Sequence, residues 1–136
     1  MAFKDAEDIY KMFDMIIEQK IKKDEALYAK LSNTGIVLTQ KIPDMDATIT
    51  LECKGSLKAT YGPTDIKPDA VTTQNSDIFM KFWQGKLNLM MAMGKGQVKT
   101  SGAMTKMLKL LPMINPIYKM YVEVAKETGR EDLLVK

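Results

Sequence analysis

The sequence predicts an α+β domain with a five-stranded, mostly antiparallel sheet and helices packed on one face of it. Three observations carry this expectation. Apolar residues recur at helical spacing at both ends of the chain, the middle alternates between apolar and polar, and one more strand-like stretch interrupts the C-terminal helices. Helices, a strand meander, then helix, strand and helix is the order of a sheet with one covered face.

At the N-terminal end, Ile9, Met12, Phe13, Ile16 and Ile17 fall on one helix face, and Asp5 stands where an N-cap belongs. A shorter helix is expected from Glu25 to about Leu31, capped by Asp24, with Leu27 and Leu31 inward and an end at Asn33 to Gly35. The period then changes. From Ala47 to Lys54 every odd position is apolar and every even one polar, and the alternation resumes from Ser56 to Tyr61. Ile36 to Ile42 reads as the strand before them, with turns at Pro43-Asp44 and Lys54-Gly55. After a loop holding Pro63 and Pro68, Ala70 to Gln74 reads as a fourth, more polar strand.

Helical spacing returns at Ile78, Phe79, Phe82 and Trp83, with Ser76 as the expected cap and Gly85 as the stop. The run Leu87 to Met93 is apolar nearly all round, which predicts burial or contact with a ligand. Lys95 to Ser101 is the expected fifth strand. Met104, Met107, Leu108 and Leu111 mark another helix face. Asn115-Pro116 reads as a cap and first-turn proline for a last helix, with Ile117, Met120, Tyr121 and Val124 inward and Gly129 at its end.

The glycine-lysine stretch at residues 93–102 invites a phosphate-loop reading that its spacing refuses. Five residues before Gly94 stands Leu89, Gly96 follows Lys95, and a strand-like stretch follows instead of a helix. Gly94 and Gly96 therefore read as a turn from helix to strand. Composition narrows the function classes further. The net charge is only +3, Arg130 is the one arginine among 20 basic residues, and this predicts a solvated lysine surface with no nucleic-acid role. The chain has no histidine, which removes the commonest general base and metal ligand. Its one cysteine, Cys53, shares a strand face with Ile49 and Leu51 and is expected to be buried and inert. No signal-peptide core or membrane-length apolar run is present in the sequence, and a cytoplasmic location is expected.

The C-terminal half resembles the sterol carrier protein type 2 domain family. The resemblance rests on Gly85-Lys86 before a short apolar helix, and on Val98, Lys99 and Gly102 leading into a Met- and Leu-rich helix, with Gln97 where a lysine is more usual. It covers about residues 8 to 111, and its specific motifs lie within 76 to 111. It implies five strands, helices on one face, and an elongated apolar tunnel between them for a fatty acyl chain, a sterol or a similar lipid. It implies no metal, no nucleophile, no cofactor and a non-catalytic carrier. Residues 1–136 are expected to form one such domain, with 112–136 as an extended C-terminal helix.

The methionines are concentrated in the same C-terminal half that carries the resemblance. Eight of the 12 methionines lie between Met80 and Met120. Methionine fills core gaps well, and the same flexibility suits a wall that repacks around varied tails. With the resemblance, the expected lipid-binding residues are Phe79, Phe82, Trp83, Leu87, Met90, Met91, Met104, Met107, Leu108 and Leu111; ordinary core packing is the competing reading for each. Lys106 and Lys109, opposite that stripe, are a solvated face or a contact with anionic membrane surfaces. The alternative to a carrier is an interaction subunit that forms a homodimer or docks on an enzyme through the apolar segment Pro112 to Val124.

Overall fold

Helix α1 (Ala6–Ile16) begins where expected, because the Asp5 carboxylate accepts from the Asp8 amide at 2.9 Å. Its apolar stripe is buried at Ile9, Met12, Phe13 and Ile16. The chain then widens into a single π turn over Ile17–Ile21, in which the Lys22 amide donates to the Ile17 carbonyl at 2.9 Å. The wider turn keeps Ile17 and Ile21 inward beside Ile16. Helix α2 (Glu25–Ser32) is capped by Asp24, whose carboxylate accepts from the Leu27 amide at 3.1 Å. The structure is a computed structural model that describes residues 3–134; residues 1, 2, 135 and 136 of the expected domain lie outside the described residues.

Five strands follow: β1 (Val37–Ile42), β2 (Ala47–Cys53), β3 (Leu57–Tyr61), β4 (Ala70–Thr73) and β5 (Lys99–Gly102). They form one sheet in the order β3-β2-β1-β4-β5. Only the central β1–β4 pair is parallel, so the sheet is mixed. One face is apolar: Leu38, Ile42, Ala47, Ile49, Leu51, Cys53, Leu57 and Ala70 all enter the main core. The opposite face carries polar residues, among them Thr39 and Thr50, whose hydroxyls lie 2.9 Å apart across β1 and β2. Helices cover the apolar face, as the alternation predicts.

Four helices complete the chain: α3 (Ser76–Trp83), α4 (Leu89–Gly94), α5 (Met104–Leu110) and α6 (Asn115–Glu127). Several local expectations are corrected. Ser76 is the first residue of α3 rather than its cap; its amide and hydroxyl both donate to the Asp44 carboxylate, at 2.9 and 2.6 Å. Strand β5 starts at Lys99 and not Lys95, because Gly96, at φ 76°, lets the Gln97 amide turn back to the Ala92 carbonyl at 2.8 Å and close α4. Asn115 lies inside α6, with Ile114 at the cap position.

Helix α6 buries Ile117, Tyr121, Val124 and Ala125 against α1 and α3. Much of the apolar stripe that was open to a docking reading thus lies in the chain's own core. Met120, also read as inward, is partly buried against that core. The tail beyond α6 is tied down. Leu133 is fully buried, its carbonyl accepts from the Tyr121 hydroxyl at 2.9 Å, and the Arg130 guanidinium clamps both Asp8 oxygens at 2.6 and 2.9 Å. Among the described residues no helix is long and apolar enough to cross a membrane.

Candidate functional site

Between the apolar sheet face and the helices lies a cavity of about 60 Å³. Its floor is Leu38 and Gln40 of β1, Leu51 and Cys53 of β2, Leu57 of β3, and Thr72 of β4, with Gln74 just beyond that strand. Its walls come from α1 and the π turn (Phe13, Ile16, Ile17, Ile21), from α3 (Ile78, Phe79, Phe82, Trp83), and from Leu31 of α2. Leu89 and Val98 close it beside α4, and Met107, Leu110, Leu111, Ile114 and Ile117 close it from α5 to α6. No charged side chain is among these residues.

The volume holds about two waters, well short of the roughly 300–1,000 Å³ of pockets that enclose drug-sized ligands. Side chains nearly fill the interior. A ligand of lipid size therefore enters only if a wall moves. The wall with the least holding it is α4, a six-residue helix in which only Ala92 is buried. An open cleft of about 530 Å³, lined about equally by polar and apolar surface, adjoins the cavity and shares Gln74 and Ile78 with it; Lys81, Gln97 and Lys99 also line the cleft.

Aromatic packing fixes one wall. Phe13 meets Trp83 edge-on at 5.3 Å between ring centroids, and Phe82 meets Trp83 at 5.1 Å. The Trp83 indole N–H donates to the Gln40 side-chain oxygen at 3.3 Å, which holds the ring against the sheet. Burial pushes the Cys53 thiol above its ordinary pKa, so it stays protonated and unreactive. Among the described residues no group of three His, Cys, Asp or Glu side chains is placed to hold a metal ion.

The structure divides the expected lipid-binding residues. Phe79, Phe82, Trp83, Met107 and Leu111 line the cavity. Met104 and Leu87 are half-buried and lie off its lining. Met90, Met91 and Leu108 are 63%, 56% and 39% exposed and lie off the lining, so Met90 and Met91 are neither buried nor facing the cavity as the apolar run Leu87 to Met93 was expected to be. The reason is geometric: α4 is only six residues long, buries Ala92 and brings Leu89 alone to the cavity lining, so its other face is left to solvent. Across α5 and the turn after it the inward stripe is Met107, Leu110, Leu111 and Ile114, three residues on from the expected Met104, Met107, Leu108 and Leu111. Both sets obey the same helical spacing, so periodicity alone does not choose between them. The sheet residues Gln40, Thr72 and Gln74 were absent from the expected site, because polar residues in strands read as solvent-facing.

Residues 13–115 match the SCP-2 sterol transfer family. No curated protein matches the chain at the sequence level. Among solved structures, the chain is similar to the sterol carrier protein domain 2 of Helicoverpa armigera, at 23% identity and TM-score 0.66, covering 88% of this chain and 96% of that one. It is similar to palmitated SCP2L2 from Aedes aegypti, at 20% identity and TM-score 0.53, covering 75% of this chain and 93% of that one. It also resembles part of the inverting sec-alkylsulfatase Pisa1 from Pseudomonas sp., at 20% identity and TM-score 0.54 over 63% of this chain, and spans only 15% of that enzyme's length. At these identities the structural likenesses speak to fold, whereas the family match covers well over half of the chain. The chain belongs to the SCP-2 sterol transfer family.

Proposed function

We propose that this protein binds and carries a hydrophobic lipid, a fatty acid, fatty acyl-CoA or sterol- or isoprenoid-like molecule, by enclosing its apolar part between sheet and helices, with no bond made or broken. The observation that carries this reading is the uncharged cavity lined from every layer of the fold. The family match and the palmitated structural neighbour support it. So does the energetics: each buried methylene contributes about 0.8 kcal/mol, so about ten of them give roughly 8 kcal/mol before ordering costs, which reaches micromolar binding without a head-group contact.

Loading requires the interior to widen, and α4 and α5 are the elements to yield. Met90 and Met91 on α4 and Leu108 on α5 stay exposed over the walls of the same cavity, and the nearby chain carries exposed Lys86, Lys95, Lys106 and Lys109. Apolar side chains with cations alongside suit contact with an anionic lipid surface during transfer.

Leu111 is half-buried on the cavity wall, so a larger side chain there fills the cavity with little disturbance of the sheet. Leu111→Trp is expected to weaken displacement of a fluorescent fatty acid by at least about tenfold while Tm changes by only a few degrees. Unaltered binding in a folded Leu111→Trp protein would show that lipid does not enter this cavity.

A further inference from the structure

The floor of the cavity holds an unexpected polar group. Thr72 is 5% exposed, lines the cavity, and its hydroxyl finds no hydrogen-bond partner among the described residues. Gln40 pairs with it across β1 and β4, and Gln74 lies two residues along on the same face; both are buried and both line the cavity. A buried hydroxyl without a partner is costly, and a hydrocarbon tail gives it nothing to bond. An apolar residue would serve a purely apolar cavity better at this position.

We propose that Thr72, with Gln40 and Gln74 beside it, receives a neutral oxygen of the carried lipid, a hydroxyl or a carbonyl, inside the cavity. The inference rests on the carrier reading above and narrows its ligand class. The Thr72 hydroxyl both donates and accepts; Gln40, whose oxygen already takes the Trp83 N–H, keeps its amide N–H to donate, and Gln74, whose amide donates to the Lys41 carbonyl at 3.4 Å, keeps its oxygen to accept, so together they match either an alcohol or a ketone or ester carbonyl. A free carboxylate does not fit beside Thr72, so a fatty acid whose tail enters the cavity keeps its charged head elsewhere, and the adjoining cleft carries Lys81 and Lys99. No cation lines the cavity, and an unpaired buried charge is far more costly than an unpaired dipole. The cleft that shares Gln74 leaves the group one step in from solvent, since Thr72 lies two residues inward on the same strand face.

The test is the ratio of affinities for dodecanol and dodecane, read from the fluorescence of Trp83, the one tryptophan, in the wild type, Thr72→Val and Thr72→Ser. Val keeps the shape and removes the hydroxyl; Ser keeps the hydroxyl. The dodecanol-to-dodecane ratio should fall about tenfold in Thr72→Val, the worth of one hydrogen bond, and hold in Thr72→Ser. An unchanged ratio in Thr72→Val, with dodecane still bound, overturns this assignment and leaves the carrier reading standing. Failure of the wild type to bind either probe overturns both. A measurement on the wild type alone guards against a variant that does not fold: the infrared carbonyl stretch of bound methyl undecyl ketone should shift to lower frequency, and a stretch at its alkane-solvent position contradicts the proposal.

Discussion

The ion pair between Asp8 and Arg130 joins the first helix to the chain beyond α6. Its side chains are 13% and 25% exposed, and both oxygens of the carboxylate are engaged. The hydrogen bonds from Arg130 hold the Asp8 pKa below its ordinary value. A carboxylate with a lowered folded pKa contributes its stability fully above the unfolded value of about 3.9, and loses it as pH falls through the folded value. Asp8→Asn should therefore lower the unfolding free energy by about 1.5–3 kcal/mol between pH 5 and 8, and the gap to wild type should close below about pH 4. Urea titrations across that range check it; a gap that is constant down to the lowest pH contradicts the clamp. This contact was illegible in the sequence, because nothing local relates Asp8 to Arg130. The caps at Asp5 and Asp24 were legible, because each acts on an amide three residues on.

At the scale of elements, the sheet was more readable than the helices around the cavity. The alternation of residue type tells which strand face is inward: Ala47, Ile49, Leu51, Cys53 and Leu57 all enter the core, although Thr50 on the other face of β2 is buried as well. The stretch from Leu87 to Leu111 is so rich in Leu and Met that more than one inward stripe fits the helical period. Its true orientation is set by tertiary contacts: Met107 and Leu110 are buried and Leu108 is exposed. The same contacts are few at α4, which makes it the element of least local stability. Hydrogen exchange should show the amides of α4 opening at least about tenfold faster than those of β1 and β2, with protection rising when a lipid is added. Protection of α4 equal to that of the central strands would locate the opening elsewhere.

For the whole molecule, the family match ends at residue 115, yet the chain beyond it belongs to the same core. Ile117 lines the cavity, Tyr121 and Leu133 are buried, and the Tyr121 hydroxyl holds the Leu133 carbonyl. The α+β class and the covered face were readable from period changes, whereas β4 and β5 show no clear alternation of residue type and β5 begins four residues later than its strand-like stretch suggested. The residues that enclose the cavity were readable only in part, since Ile16, Ile17, Leu38, Leu51 and Ile117 look like any core position until the layers are assembled. Carriage of a lipid requires this interior to open. Native mass spectrometry of the freshly purified protein, followed by organic extraction, tests it most directly. A lipid carrier should show a mass excess that extraction releases as a lipid, or a one-to-one adduct once fatty acids and fatty alcohols are added. A protein that flies bare and stays bare with every added lipid would contradict it.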